Sequence, residues 1–415
     1  MHLKKIAALL AIAGFSTSAF ATNGYFSHGY GIKSKGMAGV GIAYGQDTLA
    51  AATNPANMVL VGGGWDVGVD YFRPQRKSSI TGLGSFDGND KENYLIPEFG
   101  YNRMITNDMS VGVSVYGNGG MATDYGKLNT APIICFDPPA CTMWGPMGSG
   151  NVGVDLSQLF ITPTLSMKLN ENHAVGVSLK IAYQRFKAFG IQNIAMGMSS
   201  SPANASNRGY DDSWGYGISF GWTGQVTPTL SLGAVYQSRT YMQKFDKYKG
   251  LFAQKGDFDI PENYGIGLAW QATPKFLVAA DIQRINYGSV KSIANSMLEG
   301  GPLGASNGSG FGWKDVTAYK LGVSYDVNED FTLRAGYSWN DEPYSGSETF
   351  FNILAPGVIK RHVTLGATWK LSGGGELSLA YMHAFKNTVK GSGASTGISN
   401  TMYQDSLGIA YGVKF

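Results

Sequence analysis

Five histidines, two cysteines and 61 acidic or basic side chains are the main chemistry-bearing groups in this 415-residue chain. His2, His28, His173, His362 and His383 stand far apart, and no serine, histidine and aspartate share a spacing that would build a nucleophilic set. No catalytic residue, metal site or cofactor is therefore expected, and the chain does not read as an enzyme. The glycine runs at 117–120 and 373–375 lack the Lys-Ser/Thr that opens a phosphate-binding helix, so they read as turns. The formal charge is only +3 and no basic run marks a nucleic-acid surface. Cys135 and Cys141 share one proline-rich loop with no histidine beside them. In an exported chain they are expected to close that loop as a disulfide, the alternative being two free thiols.

The chemistry that remains is binding. Three loop stretches are unusually apolar: 190–203 with Met196 and Met198, 293–303 with Met297 and Leu298, and 350–358 with Phe350 and Phe351. Apolar loop residues either form a docking surface or bury one another. A second set is charged. Lys180, Arg239, Asp281, Lys320 and Arg334 fall on the inward side of alternating runs. A dehydrated cation there would pair with a ligand carboxylate, or the set would form a lattice that fixes whatever fills the interior.

The elements that position these residues are strands. From Trp65 onward, short runs of period two alternate with two kinds of connection. Six are tight, at Thr106–Asp108, Asn170–Asn172, Thr227–Thr229, Thr273–Lys275, Asn328–Asp330 and Ser372–Gly374. They interleave with seven long polar loops near 74–92, 118–153, 190–213, 243–257, 288–315, 341–357 and 387–401. That pattern requires fourteen strands, starting near Trp65, Tyr94, Met109, Val154, Ala174, Trp214, Thr229, Phe258, Phe276, Val316, Phe331, Val358, Glu376 and Met402. A soluble sandwich would show the same alternation, but it has no reason to segregate short from long connections. An outer-membrane barrel does: its sheet must close, its strand number is even, and its loops are short on one side and long on the other. Only 15% of residues are charged, aromatics gather near strand ends, and the chain finishes on an alternating strand with Phe415 last. The expected fold is all-β: a fourteen-stranded antiparallel transmembrane barrel over 65–415.

Two segments precede it. Lys4 and Lys5, the apolar stretch Ile6–Phe15 and Ala19-Phe20-Ala21 fit an export signal over 1–21. Residues 22–64 are glycine- and alanine-rich and carry few charges, unlike a disordered tail. A barrel of fourteen strands is too wide for its own side chains to fill, so this segment is expected to fold inward as a small helical plug. Asp47 would cap a helix over Thr48–Thr53, Asn54-Pro55 would break it, and Asn54 would cap a new turn with Pro55 at its first position.

Gly36-Met37-Ala38-Gly39, Asp47 and then Ala50 to Ala56, with Asn54-Pro55-Ala56 as its hallmark, resemble the N-terminal hatch of the FadL/TodX family of outer-membrane transporters of hydrophobic compounds. Supporting matches are Asp281 to Tyr287, Arg361 to Gly366 and Tyr381 to Phe385. The resemblance implies a monomeric barrel in the Gram-negative outer membrane, among lipid and lipopolysaccharide. It implies passive uptake of long-chain fatty acids or aromatic and alkane hydrocarbons. Ligand would pass from extracellular loops to a pocket above the hatch and leave sideways at an inward kink of the third strand, here about Met109 to Gly117. Two other functions fit a barrel: a general porin, which needs an open polar lumen, and a receptor or adhesin whose loops bind a partner.

Overall fold

The computed structural model describes residues 22–130 and 147–415. The expected signal segment and the Cys135/Cys141 pair lie outside the described residues. Sixteen strands form one sheet. Two of them, Gly84–Asp87 and Tyr241–Met242, are short ribbons laid on the wall, and the other fourteen close the barrel. In chain order the wall strands are β1 (Gly64–Ile80), β2 (Tyr94–Thr106), β3 (Met109–Tyr125), β4 (Val152–Lys168), β5 (His173–Phe189), β6 (Asp211–Thr227) and β7 (Leu230–Gln237). They continue as β8 (Asn263–Thr273), β9 (Phe276–Ile285), β10 (Val316–Asp326), β11 (Phe331–Asn340), β12 (Arg361–Lys370), β13 (Gly375–Lys390) and β14 (Ile398–Lys414). Every neighbour pair is antiparallel, and β14 returns to β1 along the full seam from Gly64–Lys414 to Ile80–Ile398.

Closure pairs the strands around the barrel, as a bilayer demands because it offers no water to an unpaired backbone group, although the upper part of β2 lacks a β3 partner. The outer face carries the apolar half of each alternating run: Leu95, Leu165, Phe220, Ile266, Leu321, Leu365 and Leu407 are all exposed. Rings pair at both rims, with Phe331 on Trp369 and Trp65 beside Tyr411 at the short-turn end and Tyr319 on Trp339 and Tyr183 beside Trp214 at the long-loop end. Such girdles suit a membrane–water boundary.

Residues 22–63 lie inside. Their elements are brief: a helix at Ile32–Lys35, 3-10 turns at Ala50–Ala52 and Pro55–Asn57, and a helix at Met58–Val61. The expected helix over Thr48–Thr53 is only that first 3-10 turn. Wall groups claim the backbone that would have extended it: Asp66 accepts from the Thr48 amide (2.9 Å) and Ser114 donates to its carbonyl (2.8 Å). Above the hatch, toward the long loops, Tyr25, Phe258, Tyr287, Phe311, Trp313 and Phe351 belong to one buried cluster that fills the lumen.

Candidate functional site: the hatch and the third strand

The hatch is held by polar side chains that the wall points inward. Lys35 Nζ sits 2.8 Å from Asp70 and 3.8 Å from Glu98, with all three buried. Burial works against the Lys35 charge, but those two carboxylates outweigh it and hold its pKa above the ordinary value. Glu98 also accepts from the amides of Gly31 (3.2 Å) and Ile32 (2.9 Å). Asp281 accepts from Gly41 (2.8 Å) and Ile42 (3.1 Å).

Asn54 and Pro55 sit where the cap-and-break reading put them. The Asn54 carbonyl oxygen accepts from the Ala56 amide at 3.0 Å, and Pro55 opens the next turn. The Asn54 amide group also donates to Ile42 O (2.7 Å), Trp222 O (3.1 Å) and Thr223 Oγ1 (3.1 Å). Asn57 repeats the pattern, donating to Gly41 O (2.9 Å) and accepting from Thr223 Oγ1 (2.7 Å). Two wall glycines admit this element. A Cβ on Gly221 would lie 1.8 Å from Asn54 Oδ1, and one on Gly176 would lie 2.4 Å from the Pro55 carbonyl. Asn54-Pro55-Ala56 is thus bolted to β5 and β6, and Ala56 is wholly buried.

Asp47 accepts from the Leu49 amide at 3.0 Å. Burial first, and then the Asp66 carboxylate, push its own carboxyl up to about 7. A folded-state value raised above the ordinary 3.8 means that the packed hatch holds a proton the loosened hatch gives up, so hatch stability falls as pH rises from there to about 7. Hydrogen exchange of the amides of residues 36–58, corrected for intrinsic rates, is expected to show protection falling between pH 5 and pH 7. Asp47→Asn should flatten that slope while keeping the Leu49 bond; a wild-type profile that stays level contradicts the assignment.

The other expected residues divide. Lys320 donates to Gly39 O (3.4 Å) and Gln283 (3.3 Å), and Arg334 donates to Gln46 (3.0 Å) and Thr368 (2.7 Å), so both serve the hatch lattice. Lys180 is buried in the lumen, donates to Gln237, lies 4.3 Å from the centre of the Phe160 ring, and meets no carboxylate among the described residues. Arg239 corrects the alternation. β7 ends at Gln237, so period two does not carry to 239; the guanidinium is half-exposed at the rim, 3.7 Å from Asp259 and over the Tyr241 ring. Of the apolar loop residues, Ile194, Met297 and Phe351 are buried, Phe350 packs against the same cluster, and Met196, Met198 and Leu298 stay exposed. Both readings of those loops therefore hold, for different side chains.

The third strand departs from the wall. β2 pairs with β1 as far as Phe72–Tyr94, but its ladder with β3 stops at Phe99–Val115. β3 stays with β4, through a register shift that leaves Asn118 as an extra residue between Gly117 and Gly119. From Tyr116 to Thr123 every residue of β3 is buried, where a wall strand would alternate. At the rim β3 meets the loop that precedes β2 instead, through a parallel bridge in which the Asp124 amide donates to Gly88 O (3.1 Å) and its carbonyl accepts from the Asp90 amide (3.3 Å). The wall thus has a break in its ladder, a closed window, between Tyr94–Glu98 and Tyr116–Thr123, with the buried Arg76 side chain reaching from Tyr94 to Ala122 O across it.

The chain's own N-terminal segment backs this window. Phe26 forms an antiparallel bridge with Gly119, Ser27 N donates to Asn118 O (3.0 Å), and Gly120 N donates to Tyr25 O (3.1 Å). A Cβ on Gly119 would come within 2.0 Å of that Tyr25 carbonyl. Tyr287, in the 3-10 turn Tyr287–Ser289 that follows β9, fixes the segment from its other side: its hydroxyl accepts from Tyr25 N (3.2 Å) and Phe26 N (3.3 Å) and donates to Asn23 O (2.5 Å). The sequence reading missed Tyr25, Phe26, Glu98, Asp70 and Tyr287. Inward carboxylates at period two in β1 and β2 were the available signal for Asp70 and Glu98.

The family model for outer membrane protein transport protein (OMPP1/FadL/TodX) matches residues 15–413. The chain belongs to that family. It is therefore an outer-membrane transport protein of a Gram-negative cell, in a family of transport proteins and not of enzymes. Among solved structures, the P. putida toluene transporter TodX is similar at 19% identity and TM-score 0.73, covering 94% of this chain and 99% of that one. The Ralstonia pickettii toluene transporter TbuX is similar at 19% identity and TM-score 0.66, with the same coverage. A Pseudomonas aeruginosa FadL homologue is similar at 16% identity and TM-score 0.71, covering 94% of this chain and all of that one. At these identities the likeness establishes the fold. No curated protein matches the chain by sequence. FadL/TodX membership puts the long loops outside the cell and the short turns in the periplasm.

Proposed function

We propose that this FadL/TodX protein carries hydrophobic small molecules, long-chain fatty acids or hydrocarbons, passively across the outer membrane and releases them sideways into the bilayer. The observation that carries this reading is the window, where β3 leaves β2 above Val115 and is buried on both faces. Met196, Met198 and Leu298 offer exposed apolar surface at the extracellular end for capture. The aromatic cluster over the hatch would part to lodge the ligand, and displacement of Tyr25 and Phe26 from Gly119 would open the way to the window. Lys180, a buried lumenal cation with no carboxylate beside it among the described residues, would meet a carboxylate, should the cargo be an acid. TodX and TbuX, similar to this chain in fold, are toluene transporters, which supports a hydrophobic cargo.

A deletion strain is expected to lose growth on oleate or toluene as sole carbon source and to regain it on complementation. Growth equal to wild type on both, with loss of cell binding, would favour a receptor role instead. A general porin requires large steady ion currents in planar bilayers; a lumen filled by the hatch is expected to give none.

A further inference from the structure

The outer face of the barrel carries a groove that lies apart from the lumen. Between the extracellular ends of β11 and β12 lies a groove of about 410 Å³ lined by Tyr337, Trp339, Asn340, Lys360 and Arg361. Alternation points Tyr337, Trp339 and Arg361 outward, and all three are exposed. Trp339 faces Arg361 across the ladder and stacks on Tyr319 at 5.2 Å, which gives the groove a rigid aromatic floor. Below it the same face is apolar, with Val363, Leu365 and Leu321 exposed toward the hydrocarbon. Above it is Lys360, 3.5 Å from Glu342.

The charge that matters in this groove is that of Arg361. Arg73, Arg239 and Arg284 each hold a carboxylate, at 2.7, 3.7 and 3.1 Å. Arg361 holds none among the described residues; its guanidinium carbon lies 5.8 Å from the centre of the Phe385 ring. An unneutralised guanidinium at the edge of a low-dielectric belt favours an anion at that depth. Its planar fork suits phosphate, to which it can donate two parallel hydrogen bonds. Aromatic rings beside it suit a sugar face or the first methylenes of an acyl chain.

We infer that the Tyr337–Trp339–Lys360–Arg361 groove binds a phosphorylated glycolipid of the outer leaflet, with a phosphate on Arg361 and Lys360 and acyl chains running down over Val363 and Leu365. The site would fix the barrel in its own lipid and leave the lumen untouched.

The test uses the full-length mature protein in detergent, titrated with purified bisphosphorylated lipid A and read by native mass spectrometry. A single saturable adduct is expected. Arg361→Gln should weaken it about tenfold or more, the loss of a charge-assisted hydrogen bond. Lys360→Gln should weaken it less, and dephosphorylated lipid A should bind the wild type as weakly as bisphosphorylated lipid A binds Arg361→Gln. Both side chains are solvent- or lipid-exposed, and heat-modifiable migration on gels verifies that each variant barrel is folded. Equal binding by Arg361→Gln, equal binding of dephosphorylated lipid A, or displacement by the same concentration of phosphatidylglycerol or inorganic phosphate would each overturn the assignment.

Discussion

Removing Asn118 is expected to abolish uptake of hydrophobic cargo while leaving a folded, heat-modifiable barrel in the outer membrane. Asn118 is the extra residue at the register shift in β3, and a bulge of this kind bends its strand. Without it, β3 and β4 can pair in one continuous register, the residues from Gly119 to Tyr125 keeping the β4 partners they have and the bend being lost. β3 would then lie back in the wall against Tyr94–Glu98, the stretch of β2 that has no β3 partner above Phe99. Asn118 also ties the bend to the lumen, donating to Gln158 (3.0 Å) and accepting from the Tyr30 hydroxyl (3.0 Å). Uptake of labelled oleate or toluene should fall by about tenfold or more, a closed path and not a weakened affinity. Unchanged uptake by a correctly assembled variant would mean that cargo does not leave through this part of the wall.

The second large effect is expected at Asn54. It is fully buried and its side chain serves four hydrogen bonds, two within the hatch and two to β6. Asn54→Ala leaves the Ala56 amide and the Trp222 and Thr223 oxygens short of a partner, at about 1–3 kcal/mol for each group left unsatisfied. The barrel does not depend on it, because the β5–β6 ladder is independent of that side chain. The hatch does. The expected result is a folded barrel whose hatch amides exchange faster, whose ion leak in planar bilayers rises, and whose uptake slows as water enters the lumen. An Asn54→Ala protein with wild-type exchange and uptake would remove the element from the mechanism. The geometry makes Asn54-Pro55-Ala56 the fixed end of the hatch, and Thr22–Ser27, at the window, the end with most to gain from moving.

The barrel was legible because the membrane imposes it on composition. Tight turns and alternating runs located all fourteen strands, with starts within about five residues of those observed. Two starts placed too early share a cause. Phe258 and Val358 looked like strand residues, yet β8 begins at Asn263 and β12 at Arg361. Both are wholly buried under the extracellular loops, so their apolar character reflects loop packing. The Asn54 cap was legible because it is local, two residues from the amide it serves. The window was not. Gly117, Gly119 and Gly120 permit a bend without requiring one. What places the bend at Asn118 is contact with Tyr25 to Ser27, more than 90 residues earlier in the chain. Inward charges were legible as a class, but which cation meets the hatch, as Lys320 and Arg334 do, depends on hatch backbone that no strand pattern encodes.

Sideways exit is tested most directly by a diazirine-bearing fatty acid, photolysed during uptake in living cells, with the adducts mapped by peptide mass spectrometry. The expected adducts fall on the two edges of the window, Tyr94–Glu98 and Tyr116–Thr123, and on Phe26 behind it. Adducts confined to the periplasmic seam lined by Lys33, Asp66, Glu376 and Lys414, with the window unlabelled, would mean that cargo passes through the hatch to the periplasm and would contradict the account.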